Sequence, residues 1–457
     1  MVGRPGGSKR SRRIAASCVA AFTALVLVID SPSVFAGTGA AAATATRPHA
    51  TATRPDAAAT RDAAATRDAA RSAPRTSRTT RPRRGGHGSG TTHASPETTS
   101  GPALSYRGLS AADVSAIVTE AKWIISAQIP DGAIGVWPDT PTVRLVWPDL
   151  AGAAAAGLAR ATEVTGDPTY AEHAWAYLQW YASVEQPGTG YVTDYDVVGG
   201  TTPVSTGEFD STDAYAGTFL AAAWDTYVAT GDQTELDALA GGIAGALHAI
   251  ASTQQPDGLT WATPSWQVAY LMDNSQAYGG LVAASRLEGA LGNEALARQA
   301  AMRAAAMEAG IQSLWDPATG AYDWARQANG WQHATQWSNI YPDALEQVAA
   351  VEWGAVTGAR AATLMTTFAK DHSDWSVPTD EAQFLSGATV TTQPVGYWPM
   401  AGVAFNAVGR YGQALTGVSQ ILTAAGKVNY DWPFTTGNAG DAIIALSGGP
   451  LLDPATD

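Results

Sequence analysis

Gln254-Gln255-Pro256-Asp257-Gly258 closes an apolar, helix-patterned stretch, and the same closure recurs along the chain. Gln128-Ile129-Pro130-Asp131-Gly132 and Glu185-Gln186-Pro187-Gly188 precede it, and Trp315-Asp316-Pro317 follows. A period of about 60 residues signals a repeated supersecondary unit. Working outward with 3.6-residue periodicity and stop signals gives about twelve helices in six hairpins. The first of each pair lie near 109–127, 168–184, 234–253, 294–314, 359–370 and 411–425. The second lie near 148–165, 211–229, 273–290, 341–356, 399–409 and 438–447. Within a pair the connection is long; between pairs it is a short polar turn such as Gly166-Asp167-Pro168 or Gly231-Asp232-Gln233.

The two helix sets differ in composition. The second set is dense in small residues, as in Ala151-Gly152-Ala153-Ala154-Ala155-Ala156-Gly157 and Ala401-Gly402-Val403-Ala404. Small side chains let helices approach closely, which an inner ring needs. The first set is amphipathic, as an outer ring with one wet face requires. The sequence therefore predicts an all-α fold, an (α/α)6 toroid. Alternation of outer and inner helices sends every long loop, and every inner-helix N-terminus, to one rim.

That rim collects acids and aromatics. In Glu208-Phe209-Asp210-Ser211-Thr212-Asp213-Ala214-Tyr215, Asp210 reads as an N-cap, with Asp213 at the third helical position. Capping needs only one of the two, so Asp213 is a candidate base or substrate-binding anion. In Tyr270-Leu271-Met272-Asp273, an apolar approach leads to Asp273. Desolvation there would raise its pKa, as a general acid requires, although a plain cap is the simpler reading. Asp131 is a third candidate for the acid. Its Pro-Asp-Gly context is also a turn sequence, and it recurs at Asp257. Asp323 is a candidate ligand for a sugar hydroxyl, and Asp149 and Asp343 read as ordinary acids at helix starts. Trp147, Tyr215, Trp261, Trp337, Tyr397 and Trp398 are candidate stacking platforms, with Asp210 a further substrate contact.

The two ends of the 457-residue chain differ. Residues 1–13 carry five basic residues and no acid, an apolar run spans Ile14 to Ile29, and Val34-Phe35-Ala36 offers a cleavage site. Residues 1–36 read as a secretory signal, with an uncleaved anchor as the alternative. Residues 37–103 are Ala, Thr, Arg and Pro repeats with ten Arg against four acids, a composition that cannot bury enough surface to order itself. They read as a linker ahead of the domain at 104–457. In that domain 12 Lys and Arg stand against 36 Asp and Glu, a balance of −24. Such a surface repels nucleic acid, anionic lipid and uronic-acid polymers. All 16 Trp and all 15 Tyr lie there, a surplus that suits the C–H faces of sugar rings. The single Cys18 falls inside the signal, which excludes disulfides and thiolate chemistry from the mature chain. The domain's four His show no metal-binding spacing, and no phosphate loop, dinucleotide fingerprint or nucleophile elbow is present. No cofactor, metal or nucleic-acid partner is expected, and a monomer is.

The segments QIPDGAIG from Gln128, FDSTDAYAGTFL from Phe209, DGLTWA from Asp257 and YLMDNSQAYGGL from Tyr270 resemble motifs of bacterial six-hairpin glycosidase-like proteins, a resemblance covering roughly residues 108–448. The chain departs from that pattern at Trp147-Pro148-Asp149, where relatives carry Asn-Pro-aromatic, and at Gln276, where they often carry Glu. The resemblance implies the fold and a carbohydrate-active role, with inversion usual in such toroids; together with the signal and the charge, the expectation is a secreted glycoside hydrolase acting on a neutral or amino-sugar glycan. Asp213 is the expected base and Asp131 or Asp273 the expected acid. A non-catalytic glycan-binding protein and a polysaccharide lyase on the same toroid are the alternatives. A lyase needs Tyr, His or Arg beside an anionic sugar, which the charge disfavours.

Overall fold

The computed structural model describes residues 108–138, 144–377, 396–430 and 433–452. The expected signal at 1–36 and linker at 37–103 lie outside the described residues. The odd-numbered helices are α1 (Ala111–Ala127), α3 (Pro168–Val184), α5 (Gln233–Thr253), α7 (Glu294–Gln312), α9 (Gly358–Asp371) and α11 (Tyr411–Lys427). The even-numbered helices are α2 (Pro148–Thr165), α4 (Thr212–Thr230), α6 (Leu271–Ala290), α8 (Leu345–Glu352), α10 (Met400–Ala407) and α12 (Thr436–Ser447).

Local chemistry sets the ends. Ser110 and Asp113 cap α1 reciprocally, each backbone N–H donating to the other's side chain at 2.9 and 3.1 Å. Gly166, at φ 72°, takes the left-handed conformation that ends α2; Asp167 then caps α3, which Pro168 opens.

The even helices close a ring. Helix α2 packs on α4, α4 on α6, α6 on α8, α8 on α10, α10 on α12, and α12 back on α2. The odd helices pack outside against these inner neighbours. Small residues make the ring possible. A Cβ on Gly280 would lie 2.4 Å from Gly217 Cα, so α6 and α4 meet backbone to backbone. Buried side chains from both helix sets, among them Ile124, Leu178, Phe219, Leu281 and Phe405, form one continuous apolar core.

Two features differ from the sequence expectation. The fourth inner helix does not span 341–356 as one piece. Tyr341 is extended (φ −124°, ψ 134°) inside a π-type turn, Ile340–Ala344, and α8 begins only at Leu345. Pro342 accounts for it, because the residue before a proline is driven from the helical region. The long loops also carry short antiparallel sheets. Strands β1 (Arg144–Val146), β2 (Tyr195–Val198) and β3 (Thr202–Ser205) form one. Strands β4 (Val268–Tyr270), β7 (Ala325–Gln327) and β8 (Gln332–His333) form a second, and β5 (Trp315–Asp316) pairs with β6 (Ala321–Tyr322). Loops of this length must satisfy their backbone groups, and pairing with one another does so. Each sheet lies in the outer-to-inner connections and feeds the rim.

Candidate active site

The capping chemistry at α4 differs from the sequence reading, and the difference builds the site. Ser211, not Asp210, caps the helix: its hydroxyl accepts the Ala214 N–H at 3.1 Å. Asp210 is thereby released from capping: the residue reaches the surface while its carboxyl turns inward onto Tyr215. Helix α6 starts at Leu271 and has no side-chain cap, so Asp273, two residues inside, is also free of a capping role. Asp273 is half-buried, whereas Asp213 is fully buried.

Ser211 joins the two helices. Its Oγ lies 2.8 Å from Asp213 Oδ1 and 3.3 Å from Asp273 Oδ2. A hydroxyl has one proton to give and can also accept. Burial pushes Asp273 well above the ordinary aspartate range, and repulsion from Asp213, Glu346 and Asp210 adds to it. Burial lifts Asp213 only to about 6, because hydrogen bonds from Thr260 and Ser211 favour its anion. Ser211 has one proton for two carboxyls: Asp213 Oδ1 is the nearer acceptor, and the hydrogen bond to Asp273 Oδ2 is the longer one.

A second relay of the same form sits beside it. Tyr215 Oη lies 2.6 Å from Asp210 Oδ1 and 2.7 Å from Asp194 Oδ1. Burial, and then the charge of Asp210, push Asp194 up to about 8. Burial also raises Asp210, but the Tyr215 hydrogen bond opposes the rise. Tyr215 has one phenolic proton for the two carboxyls, and its hydrogen bond opposes the rise at both. Asp149, at the start of α2, is raised to about 7 by burial and by Asp210. Glu346 on α8 is pushed well up by burial and accepts the Met272 N–H from α6. The N-terminal ends of four inner helices thus gather carboxyl groups that cannot all be ionised together, an arrangement typical of acid–base sites.

The other sequence candidates fall in different places. Asp131 is exposed on its turn, where it accepts the Ala133 N–H at 3.3 Å, as Asp257 accepts the Leu259 N–H at 3.1 Å. None of the interactions joining Asp210, Asp213 and Asp273 includes it. Asp323 is buried, its carboxyl raised by burial and by Asp316 in the β5–β6 hairpin. Tyr215 is buried, so it positions carboxyls instead of stacking on a ligand. Tyr397 is buried edge-on to Phe434, with ring centroids 5.5 Å apart. Trp337 is half-buried and donates to Thr319 O at 3.3 Å; Trp147 and Trp261 are also half-buried. Trp398 does face the acids through a partner. It stacks on Tyr341 at 5.9 Å and 8°, and the Tyr341 hydroxyl is raised by burial and by Glu346, Asp273 and Asp210.

Sequence reasoning did not single out Asp194, Glu346 or Tyr341. Asp194 lies in a loop with no repeat signal, and only the β2–β3 hairpin delivers it. Glu346 follows the Tyr341-Pro342 break, which shifts the helix start by four residues relative to the repeat.

The architecture is shared with solved enzymes. The chain is similar to a structure described as a wild-type glycosidase, with a TM-score of 0.54 and 15% identity, covering 76% of this chain and 100% of that one. It is similar to a GH63 mannosylglycerate hydrolase from Thermus thermophilus (TM-score 0.50, 14% identity, 72% of this chain and 99% of that one). A beta-1,3-1,4-glucanase from Paenibacillus sp. X4 also matches (TM-score 0.51, 12% identity, 74% of this chain and 92% of that one). These likenesses define the fold as the (α/α)6 toroid of the six-hairpin glycosidase type. No family model matches the sequence, and the search of curated proteins gives no match.

Proposed function

We propose that the protein is a glycoside hydrolase that works from the rim where α2, α4, α6 and α8 begin. One observation carries the reading: the Asp273 carboxyl, pushed well above the ordinary aspartate range, meets Ser211 in the same cluster in which Asp210, released from capping, meets Tyr215. Asp273 is the general acid. It gives its proton to the glycosidic oxygen as the C–O bond breaks. Asp210 is the base. It takes a proton from a water whose oxygen bonds to the anomeric carbon, and solvent exchange restores both groups. Direct attack by water inverts that carbon, a chemistry that keeps acid and base about 6.5–9.5 Å apart. Buried Asp213 is assigned a supporting role, holding Ser211 against Asp273, in place of the base role the sequence suggested.

The substrate class is a neutral or amino-sugar glycan. The domain's balance of −24 supports this, as do the Tyr341–Trp398 pair beside the acids and the glycosidase names of the similar structures. Export is part of the same proposal and rests on residues 1–36, with 37–103 as a spacer.

Release of reducing ends from a panel of neutral and amino-sugar glycans tests the activity. Wild-type protein should release sugar from at least one, and Asp273→Asn should release none at an unchanged melting temperature. Inert wild-type protein across the panel would overturn the proposal.

A further inference from the structure

Strand β4 runs directly into α6, the helix that carries Asp273, and it is the edge of a small three-stranded arm. Its register is fixed: Val268, Ala269 and Tyr270 pair with Gln327, Arg326 and Ala325, and Ala325 pairs in turn with His333. The arm is anchored at both ends. Leu271 N–H, the first of α6, donates to Trp324 O at 2.9 Å, and Trp324 N–H donates to His333 O at 2.9 Å. At the outer end Arg326 pairs with Asp257 at 2.5 Å, and Ala328 N–H donates to Gln267 O at 3.0 Å.

A file of rings runs along this arm. Tyr270, whose hydroxyl is raised partly by Asp273, Glu346 and Asp210, lies on Trp324 at 6.2 Å and 14°. Trp324 contacts His333 at 4.7 Å, and His333 contacts Trp331 at 4.1 Å. Trp324 is buried and serves as the spacer; Trp331, at the tip of the β7–β8 turn, is 57% exposed. No other Trp among the described residues is among the exposed large apolar side chains. The turn holds it outward: Trp331 N–H donates to Asn329 Oδ1 at 2.9 Å, its carbonyl accepts the Gln327 N–H at 2.9 Å, and Gly330 takes φ 84°. A flexible loop tip would cost binding entropy each time it ordered around a ligand. A ring already fixed by a paired turn does not.

From this geometry we infer that Trp331, with His333 beneath it and the Gln327 amide 3.3 Å from that ring, is a remote sugar-binding platform that receives an uncharged glycan chain extending from the bond held at Asp273. The inference rests on the proposed hydrolase reading. Two inter-strand spacings separate Tyr270 from His333 across β7, a lateral distance of roughly 10 Å at about 4.8 Å per spacing. The platform therefore lies beyond the sugar being cleaved, and only a substrate of several residues spans both. An indole face packs on sugar C–H groups while the Gln327 amide takes a hydroxyl, so the platform selects chain length and leaves the chemistry to the acids.

Trp331→Ala tests it, since an exposed turn residue can be removed without opening the core. For the polymer or long oligosaccharide the variant should show KM raised about three- to tenfold at unchanged kcat, the range one aromatic contact supplies. On a short aryl glycoside it should match wild type. Equal kinetics on long and short substrates in both proteins would overturn the platform. Its failure is separable from that of the hydrolase reading by binding alone. In the Asp273→Asn background, retention on a glycan-containing native gel should be weakened by Trp331→Ala. Unaltered retention contradicts the platform whether or not any glycan is cleaved.

Discussion

Asp213 and Asp273 belong to neighbouring inner helices, yet their carboxyls meet at one hydroxyl, Ser211 Oγ, at 2.8 and 3.3 Å. The same hydroxyl caps α4. Replacing Ser211 by Ala removes the cap, at a cost of about 0.5–2 kcal/mol, and leaves the Asp213 and Asp273 carboxyls without the hydroxyl between them. Ser211→Ala should lose turnover while Ser211→Thr, which keeps the hydroxyl, recovers most of it. The stability loss should grow with pH. Asp213 holds its proton to about 6 in the folded state, whereas an unfolded aspartate has lost it near 4. Rising pH through that window therefore favours unfolding, and loss of the Ser211 hydrogen bond moves the folded pKa higher. Melting curves at pH 4, 5.5 and 7 check the sign.

Tyr215 links Asp194 to Asp210, and its hydroxyl favours the Asp210 anion. Tyr215→Phe keeps the buried ring and removes that hydrogen bond. Asp210 then holds its proton to higher pH. The acid limb of the kcat/KM profile should shift upward, and turnover below neutrality should fall about tenfold or more. An unshifted limb would separate Asp210 from the base role.

The outer corners offer a test of stability apart from the site. Gln128 Nε2 donates to Gly132 O and His173 O at 2.8 and 2.9 Å, and Gln254 Nε2 donates to Gly258 O and Arg303 O at 3.0 and 3.1 Å. Glu185 stands at the matching corner between α3 and α5, where Oε1 is buried with no hydrogen-bond partner among the described residues and burial lifts the carboxyl to about 8. The folded pKa exceeds the unfolded one, so stability declines as pH rises from about 4.5 toward 8. Glu185→Gln should restore the corner amide. It should stabilise the protein by about 1–3 kcal/mol above pH 8, and by little at pH 4, in denaturant titrations.

Asp131 and Asp273 were rival acids in the sequence, and the structure separates their environments. Asp131→Ala loses one turn hydrogen bond on an exposed loop. Its stability should change by no more than about 0.5 kcal/mol and its turnover by less than about twofold. A large loss of kcat in a folded Asp131→Ala protein would return Asp131 to the mechanism.

The fold was legible because each hairpin repeats the same local signals. Gly166 and Gly231 stop helices in the left-handed conformation, and Ala-Gly runs mark the helices that touch backbone to backbone. The site was legible only in part. Sequence placed Asp210, Asp213 and Asp273 at helix starts, but not which residue would cap. Ser211 and Asp210 are both good caps, and a shift of one residue decides which carboxyl is free. Asp194 and Glu346 depend on the β2–β3 hairpin and the Pro342 break, long-range consequences that no local pattern encodes. Tyr397 and Asp323 are buried, since rim position in sequence does not fix which way a side chain packs.

The account turns on Asp273 carrying a proton at neutral pH. The infrared difference spectrum of wild type minus Asp273→Asn at pH 7 measures this directly. A protonated carboxyl C=O band present in wild type and missing from the variant is the expected result. A difference confined to the carboxylate bands would mean that Asp273 is ionised and cannot be the acid.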